Sequence, residues 1–249
     1  MSLATEYERQ FGWRRWSEVM DLLPPLAGKR VLDLGCGIGD QAAQLAARGA
    51  HVLGLDTNPE LLAVAQTRNI PNTELRSGDM STLEGLGAFD GIWSSFAAAF
   101  RPELAATLAC WREHLTPQGW VALTEVDDLF GHEPLLPTTR SLLADNAKDS
   151  LAAQRYDFHM GRKLRGHLES AGFAIMETRT LPDRELSFAG PAEADVITAW
   201  DARFARMKRL QAFCGPAFES VRQDFLTALS RPDHRSTAQV YFCLATSRG

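Results

Sequence analysis

Val31-Leu32-Asp33-Leu34-Gly35-Cys36-Gly37-Ile38-Gly39-Asp40 is the stretch on which the fold of this chain turns. A short apolar run reads as a buried strand, the glycines as a tight turn, and Asp40 as the cap of the helix that follows. Glycine at such a turn lets the backbone approach a ligand closely and adopt dihedrals closed to other residues. The next apolar run, Val52-Leu53-Gly54-Leu55-Asp56, ends on an acid at the distance expected of a carboxylate that takes a ribose diol. A lone G-x-G is most often packing alone, but strand, turn, helix and distal acid together outline an adenosine site. A nicotinamide site would carry G-x-G-x-x-G, with its third glycine where this chain has Asp40, and would not usually place an acid at Asp33. A P-loop is excluded because no Gly-Lys-Ser/Thr follows.

Outward from this turn, short apolar runs alternate with Ala/Leu-rich segments. The runs are Val31 to Leu34, His51 to Leu55, Phe89 to Ser94 and Trp120 to Thr124; the helical stretches are Asp40 to Arg48, Pro59 to Thr67 and Pro102 to Leu115. That alternation predicts βαβ units and a parallel sheet. Upstream, Tyr7, Phe11, Val19, Met20 and Leu23 mark a helical cap stopped by Pro24-Pro25. Downstream, Gly161 to Ala171 predicts a helix, Phe173 to Thr180 a strand, and Gln239 to Thr246 a last strand. Between those two strands lies an insertion from Pro191 to about Arg231. Val196, Trp200, Phe204, Met207 and Leu210 fall on one helical face there, and Phe218, Val221, Phe225 and Leu229 on another.

The 249 residues, 45% hydrophobic and 23% charged, exclude disordered and collagenous classes. The net charge of −5 disfavours nucleic acid as a partner. Cys36, Cys110, Cys214 and Cys243 stand singly, which fits a reducing compartment. No apolar run reaches membrane-spanning length and the start lacks a signal-peptide pattern, so a cytoplasmic location away from membranes is expected.

The chain resembles the class I S-adenosylmethionine-dependent methyltransferases, and among them the ubiquinone/menaquinone-biosynthesis group, over about residues 29–180. The resemblance implies a Rossmann-like, doubly wound α/β fold. Its mostly parallel seven-stranded sheet would carry an N-terminal helical cap (1–28) and a helical insertion (181–235) before the last strand (236–249), all one domain. It implies that Gly35, Cys36, Gly37 and Gly39 wrap the methionine part of the donor while Asp33 receives its amino group. Asp56 would hold the ribose, with Thr57 and Asn58 at the rim. Gly78-Asp79-Met80 resembles the adenine segment, and Phe89 to Ser95 the fourth strand, whose Ser94 and Ser95 face the donor. His114 to Trp120 resembles the family's junction into the fifth strand, with Gln118 in place of a glycine. Where the family often places a histidine past the fourth strand, this chain has Phe96-Ala97-Ala98-Ala99-Phe100.

Methyl transfer from a sulfonium needs alignment and exclusion of water more than a catalytic triad. A base is useful only if the acceptor must lose a proton. His132 and His159 are the candidates, against the plainer reading of solvated loop histidines. Asp127, Asp128 and His132 lack a dedicated ligand spacing, so no metal is expected. Arg14 is a candidate for a substrate carboxylate, and Trp200, Arg203, Phe204 and Met207 for the roof of an acceptor pocket, with Arg206 beside them. That roof would suit an apolar or aromatic small molecule, although such stripes are more often core. Transfer to an O, N or C atom of a small acceptor, by a monomer or homodimer, is the leading expectation. A silent donor-binding regulator and an RNA or protein methyltransferase are the alternatives.

Overall fold

The computed structural model describes residues 2–247. Leu3–Phe11 (α1) and Trp16–Met20 (α2) precede Arg30–Leu34 (β1), Asp40–Ala47 (α3), His51–Asp56 (β2), Pro59–Thr67 (α4) and Thr73–Ser77 (β3). Phe89–Ser95 (β4), Leu104–Glu113 (α5), Leu115–Asp127 (β5), His132–Glu133 (β6), Pro137–Ala152 (α6), Leu164–Ser170 (α7) and Phe173–Leu181 (β7) follow. Ala194–Arg206 (α8), Lys208–Cys214 (α9), Phe218–Leu229 (α10), Arg235–Ser236 (β8) and Gln239–Ser247 (β9) complete the order.

Seven strands form one sheet in the order β3-β2-β1-β4-β5-β9-β7. Only β9 runs against its neighbours, pairing antiparallel with β5 and β7, so the expected mostly parallel, doubly wound sheet is present. Each central strand is buried on both faces, and its side chains alternate between two apolar cores. Val31 and Trp93 point to the core shared with α2, α3 and the inserted helices, whereas Leu32, Leu34 and Ile92 point to the core under α5 and α7. Strand order reverses between β1 and β4. Their carboxyl ends diverge there and leave the crevice in which ligands of such sheets bind.

Two local expectations need correction, and one helix was not expected. Gly39, not Asp40, occupies the N-cap of α3 in a left-handed conformation (φ 83°), and Asp40 instead pairs with Arg68 at 2.7 Å. The inserted stripe is not one helix, because the chain breaks at Met207 (ψ 64°) between α8 and α9. Helix α6 has no counterpart in the sequence reading: it is mostly polar and turns only a few side chains, Leu143 among them, toward the core.

Candidate active site

The glycine turn after β1 rises into the crevice because Gly35 takes φ 79° and lies so close to Ala97 that a Cβ would stand 2.6 Å from it. The loop is clamped from β2. The Asp56 carboxylate accepts the Gly37 N–H at 2.8 Å through one oxygen and the Asn58 N–H at 2.8 Å through the other. Asn58 then caps α4 by accepting from the N–H groups of Glu60 and Leu61. Beneath the loop Asp33 is buried, and its Oδ2 has no hydrogen-bond partner among the described residues. Burial, with the nearby charge of Asp56, pushes its carboxyl up to about 8. Burial likewise raises the Cys36 thiol, so this loop cysteine stays unreactive.

A cavity of about 1100 Å³ opens over these strand ends. Gly35, Cys36, Gly37, Asp56, Thr57, Asn58, Gly78, Asp79, Met80 and Ser95 all line it, whereas Asp33, Gly39 and Ser94 stand behind its wall. Ser94 is buried and its hydroxyl donates to the Leu34 carbonyl at 2.9 Å; the Ser95 hydroxyl is buried without a partner among the described residues. The Asp79 carboxylate is engaged through Oδ1 alone, which accepts from Ser81 and Arg101. Hydrogen bonds from the Ser81 hydroxyl and N–H, with burial opposing and the Arg101 guanidinium adding to them, hold its carboxyl below the usual range.

The opposite half of the cavity is cationic. Arg14, Arg155, Arg203, Arg206, Lys208 and Arg209 line it; Arg14 and Arg203 pair with the buried Glu185, Arg206 with Glu6 and Arg155 with Asp149, whereas Lys208 and Arg209 pair with no carboxylate among the described residues. Helix α1 lays Leu3, Tyr7 and Phe11 along the cavity, with the Tyr7 ring against the Gly37 turn. Buried Glu6 on the same helix holds Arg206 of α8. Of the cationic side chains, the sequence reading singled out only Arg14, Arg203 and Arg206. Lys208 and Arg209 enter through the break at Met207, and Arg155 from the turn just past the end of α6, two features without a periodic signal.

The remaining expected site residues are elsewhere. His132 is 0% exposed, packed edge-on against Trp200 and Phe225, with its Nδ1 3.0 Å from His234 Nε2. Burial drives its imidazole down to about 3, so it is neutral and does not face the cavity. The short pairing of β6 with β8 has turned it into the core. His159 is half-buried, with its Nδ1 unpartnered among the described residues, and does not line the cavity either. Trp200 and Phe204 are 0% exposed and do not line the cavity, so this part of the stripe is core, whereas its last members Met207 and Leu210, with Arg203 and Arg206 beside them, do line it. Phe204→Ala should therefore cost about 3–5 kcal/mol of stability, visible as a lowered Tm. A Tm within about 2 °C of the parent would contradict that placement.

Known proteins place the chain in a family. The family described as "Methyltransferase domain" matches residues 31–119. A trans-aconitate 2-methyltransferase of Methylobacterium radiotolerans is 30% identical over 227 residues, covering 86% of this chain and 81% of that protein. Another, of Deinococcus radiodurans, is 40% identical over 108 residues, but the match spans only 43% of this chain and 41% of that relative's length. An S-adenosylmethionine-dependent methyltransferase structure from Mesorhizobium loti shares the fold, with a TM-score of 0.55 at 21% identity, covering 93% of this chain and 96% of the other. The chain belongs to the class I S-adenosylmethionine-dependent methyltransferases, a family whose donor is S-adenosylmethionine.

Proposed function

We propose that the chain transfers the methyl group of S-adenosylmethionine to a carboxylate oxygen of a small polycarboxylic acid, of the kind for which its trans-aconitate relatives are named. The observation that carries this reading is the cationic half of the cavity, which no histidine lines among the described residues. A carboxylic acid is already ionised at neutral pH and needs no base before it attacks. An acceptor with several carboxylates leaves one to react while the guanidinium groups hold the others in bidentate contacts. The roof thus favours an acid over the apolar or aromatic acceptor expected from the stripe.

The donor half fits the donor's chemistry. The bound donor supplies an electrophilic methyl carbon on a sulfonium. The unpartnered Ser95 hydroxyl, which lines the cavity, suits its ammonium group against the turn formed by Gly35, Cys36, Gly37 and Gly39, with the unpartnered Asp33 Oδ2 directly behind that turn. Asp56 keeps lone pairs for ribose hydroxyls beyond the two N–H groups it already accepts, with Thr57 and Asn58 at the rim. Gly78, Asp79 and Met80 frame the adenine end. Roofing by α1 and α8 excludes water and fixes the acceptor, which is where the rate enhancement originates.

The test is S-adenosylhomocysteine formation across trans-aconitate, a dicarboxylic acid, a monocarboxylic acid and a neutral phenol. Turnover should be greatest on the tricarboxylate and fall steeply on the monoacid. Turnover on the phenol with none on the acids would overturn the reading.

A further inference from the structure

We propose that Glu185, in the loop between β7 and α8, is a positioning residue that joins Arg14 and Arg203 into one two-pronged carboxylate receptor. The proposal rests on the acid-acceptor reading above. Glu185 does not line the cavity, and its side chain is 0% exposed. One carboxylate oxygen accepts from Arg203 and the other from Arg14 at 3.3 Å, so the two guanidinium groups are held side by side from behind. Arg14 comes from the segment after α1 and Arg203 from α8, and a single buried acid bridges them.

The loop is built to hold that acid still. Asp183 Oδ1 accepts the N–H groups of Glu185 and Leu186 at 2.8 and 2.9 Å, and its Oδ2 accepts from Arg14 Nε at 2.7 Å. Trp200 Nε1 donates to the Glu185 carbonyl at 3.2 Å. The arginines are also backed by rings, Arg14 over Phe96 at 4.6 Å and Arg203 over Trp200 at 5.0 Å. Neither guanidinium is saturated. Each has five N–H donors: Arg14 spends three, on Asp183, Glu185 and the Gln10 carbonyl, while Arg203 spends one on Glu185 and its Nε has no partner among the described residues. The donors left over belong to two groups that line the same cavity, which is the arrangement a planar carboxylate fits bidentately.

Without Glu185 both arginines keep their charge and lose their common anchor. Glu185→Gln should raise the acceptor KM at least tenfold, with kcat within threefold and S-adenosylhomocysteine affinity within twofold of the parent. A merely structural role would move all of these together. Glu185→Asp keeps the charge on an arm one methylene shorter that reaches one arginine but not both. It is the variant to use if Glu185→Gln fails to fold, and its acceptor KM should rise several-fold. Arg203→Gln should raise KM similarly, and the double variant Glu185→Gln/Arg203→Gln should be much less impaired than the product of the two single effects. Measured with trans-aconitate, an unchanged acceptor KM in a folded Glu185 variant, or multiplicative effects in the double variant, would overturn the assignment while leaving the acid-acceptor reading intact. Failure of the parent to methylate any acid would overturn both.

Discussion

Asp56→Ala is expected to weaken binding of S-adenosylhomocysteine by about 30-fold to several thousand-fold, the range that follows from losing a charged hydrogen-bonded contact worth about 2–5 kcal/mol in a desolvated site. The effect is large because Asp56 serves two ends at once. Its carboxylate faces the cavity, and the same two oxygens hold the Gly37 and Asn58 N–H groups at 2.8 Å. In the proposed donor site, alanine would remove the ribose contact and also free the glycine turn from the Gly37 clamp. Asp56→Asn keeps one acceptor oxygen, so one of the two N–H clamps is lost and the proposed ribose contact is weakened rather than removed. Calorimetric titration of both variants should place Asn between the parent and Ala. An affinity within twofold of the parent in a folded Asp56→Ala protein would remove Asp56 from the donor site.

What was legible in the sequence follows the range of the interactions concerned. The turn from Gly35 to Gly39 and the acid at Asp56 are local: they need only a strand, a tight turn and the next strand end, and these leave a pattern within a few dozen residues. The parallel sheet was legible for the same reason. The acceptor half was legible only in part: the expected Arg14, Arg203 and Met207 line the cavity, whereas Trp200 and Phe204 do not. Trp200 and Phe204 carry the strong 3.6-residue periodicity, and periodicity reports burial, so they are in the core. The cavity is lined by Arg203 and Arg206 on the polar side of that stripe and, beyond the break at Met207, by Lys208 and Arg209. The contacts that orient these groups join distant segments: Arg14 to Asp183, Arg203 to Glu185 and Arg206 to Glu6. No spacing rule connects such pairs. His132 shows the converse. A histidine just past a strand that ends at the carboxyl edge of the sheet resembles a base, but pairing of β6 with β8 directs it into an aromatic cluster.

That inward histidine and two inward acids lead to a second large effect, on stability. Burial pushes the carboxyls of Asp33 and Glu125 up to about 8 in the folded protein. In the unfolded chain both titrate near pH 4. Between those values the folded state holds protons that the unfolded state has released. Their contribution is therefore fully present below about pH 4 and is lost as pH rises through 8. His132 works in the opposite direction. Its folded value, about 3, lies below the ordinary 6.5, so its contribution is present above 6.5 and is lost as pH falls toward 3. The two windows oppose each other below pH 6.5, and only the acids act from there to about pH 8. Glu125 is the residue to change, because it is 0% exposed, stands outside the cavity wall and leaves Oε2 unpartnered among the described residues. In Glu125→Gln the amide oxygen still accepts the Ala99 N–H that Oε1 takes at 2.9 Å, and the titration is gone. At about 1.4 kcal/mol per pH unit for each group, the parent should lose on the order of 10 °C in Tm between pH 6.5 and 8.5. The variant should lose about half as much, the remainder coming from Asp33. Equal losses in parent and variant, followed by thermal unfolding without ligand, would mean that Glu125 is ionised in the folded core.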